Sequence, residues 1–242
     1  MKNSVAPSSS NIGGAERPSG ALALRVISRA PRTGVPGKEL TIREILTYGF
    51  PQSGMDKDLA RWKRSNLSNL WRGMKRIMAA RVLNLATFYG QLALVKINGD
   101  GSWVDYGLVS LRVVTTAGVT FIATRLTDAN TSIGNFDFHG FGTGGTAEAI
   151  GDTALVTELT TQYAVDSTRP TGTPSNPSAN VYQSVGTLSP DTGGTIAITE
   201  HGLFSASSGV TLLDRSLFSA VNLVAGSDSL QATYQLTLSA GG

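Results

Sequence analysis

The sequence predicts a mainly β protein, an antiparallel β-sandwich of jelly-roll or immunoglobulin-like type, preceded by an extended arm and a short α-helical region. Three observations carry this. From about residue 90 onward, apolar runs of strand length are separated by Gly, Asn, Asp and Pro turn signals. The final segment alternates: Leu230, Ala232, Tyr234, Leu236 and Leu238 share one face, and Gln231, Thr233, Gln235 and Thr237 share the other. The composition, with 28 Gly in 242 residues and 15 % charged residues, suits a turn-rich β protein better than a helical one.

Residues 1–40 read as the arm: Ser, Gly, Asn and Pro fill the first twenty positions, with too little apolar surface to fold alone, and ALALRVIS is a short strand candidate. Residues 41–88 form the basic helical region. Thr41-Ile42-Arg43-Glu44 is a capping box, opening a short helix to about Tyr48. In the longer helix that follows, Leu59, Trp62, Leu67, Leu70, Trp71, Met74, Ile77 and Met78 recur at three- and four-residue spacings and form one stripe. Asp56 and Asp58 suit its dipole, and Gly73 opens the alternative of two shorter helices. Residues 89–242 are the β domain. QLALVKI leads through Asn98-Gly99-Asp100-Gly101 into SWVDYGLVSLRVV, a hairpin pattern. Thr116-Ala117-Gly118 reads as a turn before a strand VTFIATRL, and further strands fall at VYQSVGTL, TIAITEHGLFSA and VTLLDRSLFSAVNLV. Residues 166 to 180, with three prolines, read as a polar loop, used for contact or mobile on the surface.

HGFGTGG, residues 139 to 145, holds a formal G-x-G-x-x-G. A dinucleotide site needs a buried parallel strand leading into such glycines and a helix starting on them. Upstream, Phe136 and Phe138 alternate with Asp137 and His139, the pattern of a half-exposed antiparallel strand, and Gly151 breaks the segment downstream. The glycines therefore read as a bend. Cysteine is absent, which removes disulfides, thiol nucleophiles and thiolate metal sites. His139 and His201, with scattered acids such as Asp137, Glu148 and Asp152, follow no zinc or calcium spacing. No G-x-S-x-G elbow is present. The expectation is a protein without enzymatic activity, cofactor or metal. No apolar run has bilayer-spanning length and the first twenty residues lack the apolar core of a signal peptide, so the sequence predicts a soluble product made and used inside the cell, with no membrane partner.

Charge divides sharply. Residues 1 to 125 carry 18 Lys and Arg against 7 acids, and residues 126 to 242 carry 2 against 10. The two parts face different partners, or each other's copies. The candidate partner-docking residues are Arg61, Lys63, Arg64, Arg72, Lys75 and Arg76. Phosphate neutralisation by Arg72, Lys75 and Arg76 beside Trp62 and Trp71 is one use of them. Docking on an acidic protein surface is the favoured one, because both tryptophans fall on the apolar stripe.

The blocks GLVSLRVVTTAGVTFIATRL, NFDFHGFGTGGTAEAIGDTALVTEL, VYQSVGTL, ITEHGLFSASSGVTLLDRSLFSAVNL and DSLQATYQLTLSAGG together resemble virion structural proteins of tailed bacteriophages. The resemblance runs from about Tyr106 to Gly242 and leaves out the arm and the basic helices. It implies a β-rich assembly component of heads, necks or tails, without an enzymatic site, assembled in the host cytoplasm into the virion. The expected function is a capsid decoration or cement protein, a homo-oligomer whose arm and helical region grip neighbouring major capsid subunits. The alternatives are a neck or tail component, docked on connector or tail proteins or attaching fibres, and a nucleic-acid-binding protein acting through residues 57 to 81.

Overall fold

The computed structural model describes residues 34–83, 87–126, 136–209 and 211–239. The arm expected over residues 1–40 lies outside these as far as residue 33. Two antiparallel sheets and three helices make up the described residues, which are mainly β. β1 (Thr87–Ile97) and β2 (Trp103–Val113) form the predicted hairpin, in which Asp100 Oδ1 accepts from Ser102 N–H at 2.8 Å. The first sheet adds β8 (Ser229–Ser239), β5 (Val181–Leu188) and β4 (Thr173–Ser178), in the order β2-β1-β8-β5-β4. The second holds β3 (Phe138–Gly142), β6 (Thr195–Phe204) and β7 (Leu212–Val224), in the order β3-β6-β7. Leu92, Leu94 and Leu230 from the first sheet meet Phe141, Ile198 and Val221 from the second in a shared core. Burying each such side chain contributes roughly 1.5–3 kcal/mol.

The capping box opens α1 (Ile42–Gly49): Glu44 N–H donates to the Thr41 hydroxyl, and Thr41 N–H donates to Glu44 Oε2 at 2.9 Å. α2 runs unbroken over Lys57–Val82, so the two-helix alternative is set aside. Gly73 sits where α2 comes closest to the sheet, and a Cβ there would lie 1.8 Å from Leu111 O. The glycine is therefore a contact point, not a break. Asn66 ties the same helix to both sheets: its Nδ2 donates to Val109 O of β2 at 2.7 Å, and its Oδ1 accepts from Ser219 N–H of β7 at 2.9 Å. Both strands are edges of their sheets, and α2 closes the seam between them.

Four sequence expectations change. Thr116–Leu126 is a helix, α3, instead of a turn and a strand. Thr115 Oγ1 accepts from Gly118 N–H at 3.0 Å, and this cap, with Phe121 and Ile122 packed against Phe136 and Leu213, outweighs the β propensity of the segment. HGFGTGG begins as strand and not as a bend: Phe138–Gly142 is strand β3, paired antiparallel with β6 and buried instead of half-exposed, and residues 143–145 leave the strand. The expected loop at 166–180 yields the edge strand β4 in its second half, with prolines at positions an edge tolerates. Its first half is pinned by Arg169, which pairs with Glu158 at 2.6 Å, donates to Gly209 O at 2.8 Å and stacks over Phe204. Finally, the polar face of β8 is buried along with the apolar one. Gln91, Gln235 and Gln183 stand side by side on β1, β8 and β5, where Gln235 Nε2 donates to Gln183 Oε1 and Gln91 Nε2 to Thr237 Oγ1.

Candidate functional site

α2 carries the six predicted docking residues, and its contacts with β2 and β7 decide which of them reach solvent. Arg61, Arg64, Arg72, Lys75 and Arg76 are exposed. Arg61 pairs with Asp58 at 3.1 Å with both side chains open to water, a contact worth little. Lys75 lies over the ring of Trp71, 5.8 Å from its centroid. Lys63 is a correction: it is 3 % exposed and its Nζ donates to Tyr48 O and Tyr106 O at 2.8 and 2.6 Å. Burial lowers its pKa to about 8. It fastens α1 and β2 to the helix and is not available for docking. Of the two tryptophans on the apolar stripe, Trp71 is 45 % exposed, whereas Trp62 is partly buried and donates Nε1–H to Ala220 O at 2.8 Å.

The acid-rich half of the chain does not present an acid-rich surface. Glu148, Asp152, Glu158, Glu200 and Asp228 are held in ion pairs, and Asp137 and Asp214 are buried. Asp166 and Asp191 are the exposed acids among the described residues after position 125. Glu200 is the most enclosed. It is 0 % exposed and takes Arg215 at 2.8 Å, together with the N–H groups of Gly144, Val156 and Thr157 at 3.1, 3.1 and 2.8 Å. The glycine run of the formal nucleotide motif thus curls around this protein's own carboxylate.

Two further polar groupings were not brought together by sequence spacing. His139 Nε2 lies 2.8 Å from Ser184 Oγ, and its Nδ1 lies 2.9 Å from His201 Nε2. All three side chains are sealed from solvent. The order serine–imidazole–imidazole has the spacing of a nucleophile and base, but no substrate atom reaches it in this arrangement. Among the described residues no group of three His, Asp or Glu side chains is placed to hold a metal ion, and no helix is long and apolar enough to cross a membrane.

The second grouping lines a cavity of about 240 Å³ beneath the C-terminal half of α2. Arg72 and Arg76 of α2, Arg112 of β2 and Arg215 of β7 converge on it, with Glu148 between them and Ile77, Phe88, Leu111 and Ile150 along the walls. Glu148 pairs closely with Arg112 and accepts from Leu217 N–H at 2.9 Å. The one signal in the sequence was the isolated Arg in each of two apolar strands, SLRVV and LLDRSLF, which calls for a buried partner. Glu148 and Asp152 come from the segment 146–152 and Glu200 from β6, and spacing could not assign them. No protein-family model matches the chain, and no curated protein matches it.

Proposed function

We propose that the protein is a non-enzymatic structural component of a tailed-bacteriophage virion, a capsid decoration protein built on a β-sandwich that grips neighbouring capsid subunits through α2. The observation that carries this reading is the contrast between interior and surface. The carboxylates and imidazoles are spent inside the body, on holding β6, β7 and residues 143–172 together, while the exposed faces of α2 keep Arg64, Arg72, Lys75 and Arg76 beside the open ring of Trp71. Arginine and tryptophan are enriched in protein interfaces, and a basic patch complements an acidic partner surface. The blocks that resemble phage virion proteins supply most of the strands, though not β1 or β4, and the docking helix lies outside them, which supports a common body carrying a partner-specific attachment.

The strand order favours a relative of the immunoglobulin type over a jelly roll. β3-β6-β7 reproduces the C-F-G order, and β5-β4 the E-D order, with the C-terminal β8 standing where a second strand would normally lie. Because few exposed acids remain on the described body, charge complementarity points to the capsid or connector subunit as the acidic side, with contacts between copies made elsewhere. The test is the copy number of the chain in purified virions, measured by quantitative mass spectrometry against the major capsid subunit. A ratio near one per capsid subunit supports decoration of the shell; a small fraction moves the assignment to the neck or tail. Absence from virions overturns both and leaves the nucleic-acid reading, which the exposed arginines of α2 also suit.

A further inference from the structure

The arginine-lined cavity beneath α2 has a composition that packing alone does not require. Its volume of about 240 Å³ lies below the roughly 300–1,000 Å³ of sites that enclose drug-sized ligands. Its walls are apolar at Ile77, Phe88, Leu111 and Ile150. Charge is not balanced around it. Arg215 is matched by Glu200 and Asp152, and Arg112 by Glu148, whose other oxygen is 3.8 Å from Arg72. Asp214 also lies behind Arg112, but burial pushes its carboxyl up to about 7, so below that pH four guanidiniums face three ionised carboxylates, leaving one positive charge. That charge belongs to the pair Arg72 and Arg76, one helical turn apart at the rim. Arg76 makes no ion pair among the described residues.

We propose that this cavity is a binding site for a small apolar carboxylate, with its anionic end held by Arg72 and Arg76 and its hydrocarbon body against Phe88, Ile77 and Leu111. The match follows from both ends of the ligand. A planar guanidinium takes a carboxylate through two parallel hydrogen bonds, and a partly desolvated pair is stronger than one in water. A monoanion brings the lining to neutrality, while a phosphate dianion overshoots it and leaves the apolar walls against hydrated charge. The same chemistry is offered by a free amphipathic acid and by the C-terminal leucine of a polypeptide. The site stands independently of the virion reading.

The experiment titrates the full chain with hexanoate, hexanol and an acetylated tripeptide ending in a leucine carboxylate, followed by calorimetry and by chemical-shift changes of the ligand. It is run at pH 6, where Asp214 behind Arg112 carries its proton. Hexanoate is expected to bind roughly tenfold tighter than hexanol. Arg76→Ala, which disturbs no packed side chain, is expected to bring hexanoate down to the level of hexanol with the melting temperature unchanged. Ala80→Trp, which fills the cavity from the helix side, is expected to remove both. Tighter binding of the peptide than of hexanoate would assign the site to a chain terminus, and the reverse order to a free acid. Equal affinity of wild type for hexanoate and hexanol, or hexanoate binding that survives Ala80→Trp in a folded protein, overturns the proposal.

Discussion

His139 Nδ1 lies 2.9 Å from His201 Nε2, with both rings sealed from solvent. One proton fits between the two nitrogens, so the rings cannot both be protonated, and burial disfavours a charge on either. Burial holds both well below the ordinary value of 6.5, His139 at about 3. The unfolded chain takes up two protons near 6.5 that the native state refuses, so this contribution to stability is present above 6.5 and lost on acidification. Asp214 opposes it. Burial pushes its carboxyl up to about 7 from 3.8, so its contribution is fully present below 3.8 and lost as pH rises through 7. Between about pH 4 and 6 the net difference is one proton, or about 1.4 kcal/mol per pH unit. Urea midpoints are expected to rise from pH 4 to 6 and to level off near pH 7. Asp214→Asn is expected to double the acid slope approximately and to let stability keep rising from about 6.5 to 7.5, where the wild type is nearly level; an unchanged slope would mean that Asp214 is ionised in the native protein.

Glu200 accepts from three backbone N–H groups and from Arg215, and together the two residues join β6, β7 and residues 144–157. Glu200→Ala is expected to cost about 3–5 kcal/mol, because Arg215 is left charged and buried. Glu200→Gln keeps the shape but turns an acceptor toward Arg215 into an amide, and should cost less. Chemical denaturation of the two variants checks the order. Equal, small losses would show that water reaches Arg215 when the carboxylate is gone.

How far these features were legible depends on whether a residue's own neighbours determine its role. The β1–β2 hairpin was readable because Asn98 to Gly101 and the flanking apolar runs lie together in the chain, and the capping box at Thr41 and Glu44 for the same reason. The inner face of α2 was read by hydrophobicity alone, which found Leu70, Met74 and Ile77 but missed Lys63, Asn66 and Gly73. Each of those three is fixed by a backbone carbonyl of β2 or its neighbours, a partner at a distance no periodicity reveals. α3 was misread because Val119, Ile122 and Thr124 favour strands locally, while the cap from Thr115 and the packing against Leu213 are tertiary. The arginine-lined cavity was least legible, since its walls come from α2, β1, β2, β7 and the segment around Glu148.

Gly73→Ala separates propensity from packing. In an exposed helix the change stabilises by about 0.8–1 kcal/mol. Here the new methyl meets Leu111 O at 1.8 Å, and α2 must lift away from β2. The expected result is a loss of roughly 1–3 kcal/mol, with faster amide exchange at Asn66 and Leu70, where the helix meets the edge strands. A gain in stability would mean that the contact between α2 and β2 is looser in solution.

Lys63 and Arg64 are adjacent basic residues with opposite roles, and paired substitutions test the assignment of the docking face. Lys63→Met keeps the apolar stem but leaves Tyr48 O and Tyr106 O without a donor, at an expected cost of about 2–4 kcal/mol. The native lysine releases its proton near 8 while the unfolded chain holds it to 10.5, so wild-type stability should rise as pH climbs from about 8 to 9.5. Lys63→Met should abolish that rise. Arg64→Ala is expected to change stability by less than about 0.5 kcal/mol. If α2 is the docking face, Arg64→Ala combined with Lys75→Ala weakens attachment to virion heads and reduces its sensitivity to salt, while the fold is untouched. Attachment unaffected by the double substitution, with the melting temperature preserved, would move the docking surface off this helix.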